Sequence, residues 1–272
     1  GWTDRPALVH QPADVLKDEF NGEATASKLA RVREQMEKEE AQYHIISTLD
    51  DIAWILNVRG NDIPHVPVVL SFLVIGKEDA MWFVEENALS DAVKEMAAEC
   101  GITIRPYDDV YAYAATIPEH STVLLDKRKV NYRITNALSE TVHIVSKANP
   151  SQLMKAIKNE IELENTRKAH LLDGIAVTKF MYWLKKNVGK IPMDEVSVSD
   201  YLQSLREQME GYRDISFDTI AGYNANAAMM HYKAEPDTAA KLEPQGMLLV
   251  DSGGHYDTGT TDITRTFVLG PI

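Results

Sequence analysis

The stretch LLVDSGGHYDTGTTDITRTFVLG, residues 248–270, constrains the fold more than any other part of this sequence. Two apolar, β-prone runs flank glycines and polar turn residues, a pattern that predicts a β-hairpin. Asp251 and Asp262 lie on opposite sides of the predicted turn. A hairpin that turns between Tyr256 and Asp257 would place the two aspartates directly opposite each other, because each lies equally far from that turn.

This predicted aspartate pair has a chemical consequence. Cross-strand partners have Cβ atoms about 4.5–5.5 Å apart on one face of the sheet. Two carboxylates at that distance repel each other unless a proton or a cation lies between them. A dinuclear metal site suits such a pair, and oxygen ligands favour Mn, Mg or similar ions. Two alternatives stay open: Asp and Gly are common turn residues, and a bulge would shift the register.

Composition narrows the class of protein. The 272 residues carry a formal net charge of −13, which argues against a nucleic-acid or anionic-membrane partner. Cys100 is the single cysteine, so no intrachain disulfide can form. The most apolar run, VPVVLSFLVIG (66–76), is too short to span a bilayer, and the first residues do not resemble a signal peptide. We therefore expect a cytoplasmic protein.

The order of the predicted elements indicates an α/β fold. Apolar periodicity predicts alternating helices and strands over residues 18–147, which indicates an α/β domain. Residues 1–17 are predicted to be a lead-in. The stretch SKANPSQLMK (146–155) suggests a boundary, and a second domain is assigned to 148–272. That domain is predicted to open with two helices, or one helix kinked near residue 163, and to become β-rich towards its end.

The hairpin stretch resembles the signature of the pita-bread metallopeptidases, most closely that of the Xaa-Pro aminopeptidase family. In that family the aspartates of the "DSG…GTTD.TRT" pattern bind a dinuclear manganese centre, which implies that Asp251 and Asp262 are metal ligands. The stretch NANAAMMHYKA (224–234) resembles a family pattern whose histidine binds substrate and transfers protons. The resemblance implies that role for His231, which we predict to lie in a strand. Ala227 stands where the family often has glycine.

The resemblance extends over nearly the whole chain. LDDIAWILNVRGNDIPHVPV (49–68) is similar to the middle domain of the three-domain enzymes, and residues 158–184 are similar to the first helices of their catalytic domain. It implies a creatinase-N-like α/β domain followed by the first half of a pita-bread domain. The family also needs a downstream histidine and two glutamates as ligands. We therefore expect this chain to be an internal piece that is inactive alone.

Two further residues are candidates for substrate binding. Arg59 would lie on a loop that reaches over the catalytic cleft, or would form a local salt bridge. Tyr223 would line the substrate pocket, or would be an ordinary core tyrosine.

The resemblance implies a metalloaminopeptidase that removes the first residue from peptides with proline in second place. The parent protein would use two Mn²⁺ ions and form a homodimer. The alternatives are an Xaa-Pro dipeptidase and a non-catalytic pita-bread module that binds a partner.

Overall fold

The computed structural model describes residues 3–4 and 6–272, and the chain folds as two compact units. Unit 1 comprises residues 1–159 and unit 2 comprises residues 160–272. Residues 1, 2 and 5, part of the predicted lead-in, lie outside the described residues.

Unit 1 is built on a six-stranded mixed sheet. The strands of unit 1 are β1 Asp14–Val15, β2 Tyr43–Ile46, β3 Val58–Arg59, β4 Ser71–Gly76, β5 Ala80–Val84, β6 Ile102–Arg105, β7 Thr122–Leu125 and β8 His143–Ser146. Strands β1 and β3 form a separate two-stranded antiparallel pair. The sheet order is β6-β5-β4-β2-β7-β8. Strand β4 is antiparallel to both of its neighbours, β2 and β5, and the other neighbouring pairs of the sheet are parallel.

Helices cover this sheet. They are α1 Asp18–Asn21, α2 Thr25–Lys38, α3 Leu49–Leu56, α4 Asp91–Glu99, α5 Val110–Ala114, α6 Tyr132–Ala137 and α7 Pro150–Ala156, with short 3₁₀ helices at Glu86–Ala88 and Tyr107–Asp109. Successive strand residues enter two different cores, since Leu73 packs in one cluster and Phe72 in the other. Both faces of the sheet are therefore buried, as expected for an α/β domain. The predicted fold class is confirmed for this part of the chain.

Helix α7 packs in unit 1, through polar contacts with α3. Lys155 forms ion pairs with Asp50 and with Asp51, the latter at 3.3 Å between Nζ and Oδ1. Asn149 donates a hydrogen bond from Nδ2 to Oδ2 of Asp51 at 3.1 Å. Unit 1 therefore extends to residue 159, whereas the sequence pattern suggested a boundary at residue 148.

Unit 2 combines two helices with two three-stranded sheets. The elements are α8 Glu160–Asn187, α9 Glu195–Arg206, β9 Tyr212–Ile215, β10 Ile220–Tyr223, a 3₁₀ helix Asn224–Ala228, β11 Met247–Ser252, β12 Gly254–Tyr256, β13 Gly259–Thr260 and β14 Ile263–Val268. The sheet orders are β10-β11-β14 and β13-β12-β9, and every pair is antiparallel. Side chains of α8 and α9, including Phe180 and Leu202, form one core with Leu248 and Val250 of β11.

The helix boundaries follow local signals. Helix α8 is one helix of 28 residues that runs through residue 163, and the interruption in the predicted helical stretch lies at residues 157–159. Helix α9 begins after Asp194. The Asp194 carboxylate accepts from the Ser197 backbone N–H, and the Ser197 hydroxyl accepts from the Asp194 N–H. This reciprocal capping box satisfies backbone donors that a helix start would leave unpaired.

Candidate metal centre

Strand β11 carries Asp251 on its open face. Residues Leu248, Val250 and Ser252 are buried, whereas Leu249 and Asp251 between them are partly exposed. This alternation is the period-two pattern of a strand with one face on a core. Because β11 is the central strand of its sheet, between β10 and β14, the backbone of Asp251 is fixed from both sides. The carboxylate is therefore held on a rigid element.

The predicted register of the hairpin is wrong by two residues. Asp251 lies opposite Thr264, and the tip pairs Tyr256 with Gly259, so the turn lies at Asp257 and Thr258. Burial is the physical reason. The side chain of Tyr256 is only 6% exposed and its hydroxyl donates to Asp173 at 2.9 Å, so Tyr256 belongs to a strand and not to a turn.

Asp262 consequently lies diagonal to Asp251. It stands two residues before Thr264, just ahead of β14, and it is exposed. Diagonal cross-strand neighbours have Cα atoms about 7–8 Å apart in a regular ladder. Two carboxylates at that separation repel each other less than a directly opposed pair. They can still bind two ions about 3.5–4 Å apart.

The donor set of this site is chemically suitable but partial. Asp251 Oδ1 accepts a hydrogen bond from the Thr264 hydroxyl at 2.7 Å, which orients one carboxylate. Carboxylate oxygens are hard ligands that suit Mn²⁺ or Mg²⁺. Within the part of the chain that the structure describes, no group of three or more His, Cys, Asp or Glu side chains is placed to hold a metal ion. The two aspartates thus fit as part of a metal site and do not complete one.

His231 lies in a turn, and its prediction as a strand residue is wrong. It follows the 3₁₀ helix Asn224–Ala228 in the connection from β10 to β11, and it is exposed. Its φ of 58° is left-handed, a conformation that no β-strand residue adopts. The connection leaves the sheet after Tyr223, three residues along β10 from Ile220, the partner of Asp251. That is about 10 Å along the strand.

The two candidate substrate-binding residues lie in different surroundings. Tyr223 is 8% exposed in the core of unit 2, and its hydroxyl donates to the Gln245 carbonyl at 2.9 Å. The side chain therefore packs as the core alternative expected. Arg59 lies in β3 of unit 1, where its guanidinium donates to the carbonyl oxygens of Ala53 and Val58 at 2.9 and 3.1 Å.

A buried ion pair beneath β11 was missed by sequence reasoning. The side chains of Asp173 and Arg206 have no exposed surface, and Arg206 Nε lies 2.5 Å from Asp173 Oδ1. Arg206 also donates to the Ser252 hydroxyl at 3.1 Å, and Tyr256 donates to Asp173. Burial and the Asp173 charge raise the pKa of Tyr256, so its hydroxyl stays protonated. These four residues are called the Asp173 network below.

The Asp173 network bears on the candidate site because Ser252 directly follows Asp251. Arg206 donates to Ser252 on the buried face of β11, while the preceding residue, Asp251, lies on the open face. A sequence signal for this network exists. Asp173 stands four residues after Ala169 and three before Ala176, both fully buried, so it is an acidic residue on the apolar face of α8.

Comparison with known proteins agrees with this architecture. Residues 4–162 match the family described as Creatinase/Prolidase N-terminal domain, a match that alone covers more than half of the chain. The chain belongs to the creatinase/prolidase N-terminal domain family. Residues 164–272 match Metallopeptidase family M24, so the two family matches correspond closely to units 1 and 2. The resemblance noted in the sequence is confirmed.

Two relatives of this creatinase/prolidase chain carry Xaa-Pro aminopeptidase names. A probable Xaa-Pro aminopeptidase P of Neurospora crassa is 36% identical over 281 residues, and Xaa-Pro aminopeptidase 1 of Dictyostelium discoideum is 38% identical over 259 residues. The matches cover 99% and 94% of this chain but 41% of each relative. The chain therefore spans less than half the length of these relatives.

Solved structures give the same result. An X-prolyl aminopeptidase of Caenorhabditis elegans, described as a cytosolic enzyme with a di-nuclear active site, superposes with a TM-score of 0.91 at 31% identity. The superposition covers 98% of this chain and 45% of that one. A prolidase of Pyrococcus horikoshii reaches a TM-score of 0.66 at 22% identity, covering 89% of this chain and 65% of that one, which shows a shared fold.

Among the described residues, no helix combines the length and the apolar character that crossing a membrane would require.

Proposed function

We propose that this chain is part of a metal-dependent Xaa-Pro aminopeptidase, which releases the first residue from peptides whose second residue is proline. The observation that carries the proposal is the aspartate pair on an M24 unit, Asp251 on a rigid central strand with Asp262 diagonal to it. The names of the curated relatives and of the C. elegans structure support the choice of substrate.

Asp251 and Asp262 would hold the metal. The di-nuclear active site described for the C. elegans enzyme supports two ions, and we propose Mn²⁺ because the ligands are carboxylate oxygens. When bound, such ions lower the pKa of a water molecule and polarise a carbonyl group. Two carboxylates are a partial ligand set, so we expect high affinity only where further ligands join them.

The chain's own residues would orient a metal ligand and transfer a proton. The Thr264 hydroxyl orients the Asp251 carboxylate through its hydrogen bond. His231 is exposed on the connection between β10 and β11, where its imidazole would bind the peptide and transfer a proton. The substrate-binding roles of Tyr223 and Arg59 stay predictions.

We also propose a cytoplasmic location, which the description of the C. elegans enzyme as cytosolic supports. Formation of a homodimer stays a prediction. So does the absence of nucleic-acid and membrane partners.

The test uses the protein encoded by the complete reading frame. We expect hydrolysis of an Xaa-Pro-Pro peptide with added Mn²⁺, and little hydrolysis of an Xaa-Pro dipeptide. Asp251→Asn and Asp262→Asn should each lower turnover by more than the roughly 10–100-fold that loss of an outer-shell partner costs. Their bound metal, measured by atomic emission, should fall in parallel.

Asp257→Asn is the matched control, because Asp257 lies in the turn of the same hairpin and pairs with Arg213. It should keep turnover and metal content. An Asp262→Asn protein with normal turnover and normal metal content would refute the proposal. Preference for the dipeptide would instead identify an Xaa-Pro dipeptidase.

A further inference from the structure

The segment that carries His231 is long and has little regular structure. It runs from Tyr223 at the end of β10 to Ala240, and only the 3₁₀ helix Asn224–Ala228 is regular. Loops of this length are uncommon in compact domains, and they usually either have a function or are disordered. Its two exposed methionines, Met229 and Met230, are 51% and 92% exposed, so they contribute little packing near His231. The question is what holds this segment in place.

One buried carboxylate binds the segment at four residues. Glu195, the first residue of α9, has no exposed surface. Its Oε1 accepts from the Tyr223 backbone N–H at 2.7 Å and from Asn226 Nδ2 at 3.0 Å. Its Oε2 accepts from the Tyr232 hydroxyl at 2.7 Å and from the Ala240 backbone N–H at 2.9 Å. Both ends of the segment and two of its interior side chains therefore meet at one group.

The bond nearest to His231 is the one from Tyr232, the next residue. The left-handed φ of His231 is unfavourable for a residue with a side chain, so its surroundings must maintain it. Burial, together with the bond to Glu195, raises the pKa of Tyr232 to about 12, and the phenol therefore stays a donor at neutral pH. Tyr232 is thus a fixed point beside the turn that contains His231.

We propose that Glu195 is a positioning residue for His231: by binding Tyr223, Asn226, Tyr232 and Ala240 it holds the 223–240 segment in the conformation that presents the imidazole. The role of His231 in the reaction rests on the function proposed above. The anchoring of the segment does not rest on it, and the two can be tested apart.

The first test is hydrogen exchange on the 272-residue chain. Glu195→Gln keeps the shape of the side chain but replaces one acceptor oxygen by a donor NH₂, which cannot accept from the pair of donors that it faces. We expect peptides within 224–240 to exchange about tenfold faster or more, while peptides of α8 and of unit 1 keep their rates. Glu207→Gln, an exposed glutamate at the other end of α9, is the matched control and should change neither.

A milder variant protects the test against misfolding. Tyr232→Phe removes one donor and leaves the ring, so exchange should rise mainly around residues 229–233. Unchanged exchange in 224–240 for both variants would overturn the anchoring. So would a uniform increase across unit 2, since that would mean that Glu195 only stabilises the unit as a whole.

The second test uses the complete protein and an Xaa-Pro-Pro peptide. Glu195→Gln should lower kcat at unchanged metal content, and it should lower activity little further when His231→Ala is already present, because both changes act through one imidazole. Full additivity with His231→Ala, or loss of bound metal, would overturn the positioning role. If the unaltered protein has no activity, the proposed function fails, while the exchange result still decides the anchoring.

Discussion

Unit 2 contains two pairs of acidic residues that differ in burial and in hydrogen bonding. Asp173 and Glu195 have no exposed surface, and each accepts several hydrogen bonds from surrounding donors. Asp251 is half-buried and Asp262 is exposed, and the Thr264 hydroxyl is the donor on Asp251. The first pair lies among α8, α9 and the strands, whereas the second pair lies at one end of the open face of the β10-β11-β14 sheet.

The difference distinguishes carboxylates that stabilise the fold from carboxylates that are open to a cation. A buried carboxylate is tolerated only when its lone pairs are satisfied, and a satisfied carboxylate fixes every group that donates to it. A carboxylate that is to bind a cation needs its lone pairs free on the side where the cation arrives. The two buried residues therefore fix the surrounding backbone, and the two open ones, which we propose as metal ligands, are carried by that backbone.

The largest expected effect concerns the buried pair. Asp173→Ala leaves the Arg206 guanidinium buried without its counter-charge, so we expect a loss of about 3–5 kcal/mol in the free energy of unfolding. Urea denaturation followed by fluorescence measures it. Arg213→Ala, which breaks the exposed pair with Asp257, is the control and should cost no more than about 1 kcal/mol. A cost that small for Asp173→Ala would contradict the holding role.

A buried histidine extends the comparison to unit 1. His44 is fully buried; its Nδ1 lies 2.9 Å from the Leu124 carbonyl oxygen, and its Nε2 has no partner among the described residues. Burial lowers the pKa of His44 from 6.5 to about 4. Between these values the unfolded state binds the proton and the native state does not. The contribution of neutral His44 to the free energy of unfolding is therefore fully present above about pH 6.5 and is lost as the pH falls towards 4.

The expected size is on the order of 3 kcal/mol, since one pKa unit corresponds to about 1.4 kcal/mol. Denaturation of the unaltered chain and of His44→Gln at several pH values measures it, because the variant lacks this titration. His143→Gln, at an exposed histidine, should leave the pH dependence unchanged. A difference between the unaltered chain and His44→Gln that is constant from pH 7 to pH 4 would contradict the prediction.

The smallest expected effect concerns the open pair. Asp262→Asn in this chain should change the free energy of unfolding by no more than about 0.5 kcal/mol, because an exposed carboxylate contributes little to stability. The same denaturation experiment measures it. A loss of 2 kcal/mol or more, on the order of a broken buried hydrogen bond, would mean that Asp262 holds the fold after all.

The sequence predicted what depends on local pattern. Alternating apolar periodicity predicted the α/β fold of unit 1, and the turn residues predicted the hairpin that carries Asp251 and Asp262. The register could not be predicted from turn residues, because it depends on the burial of Tyr256 against Asp173, 83 residues away. Glu195 was missed for a similar reason, since its donors at Tyr223 to Ala240 lie 28 to 45 residues away.

Two further differences between the predicted and the observed elements have separate physical reasons. The boundary at residue 148 was placed beside Pro150, but Pro150 is the first residue of α7, where a missing N–H costs nothing. His231 was predicted to lie in a strand, yet it lies in a turn and the adjacent Tyr232 donates a hydrogen bond to Glu195. For His231, a tertiary contact therefore outweighed the local preference.

The closure of the 223–240 segment by Glu195 has an evolutionary consequence. Its stretch from Lys233 to Ala239 lies between two anchored residues and is mostly exposed. Surface loops whose ends are tied together accept insertions and deletions without disturbing the elements they connect. Lineages can therefore change the length and sequence of this stretch without disturbing the turn that holds His231.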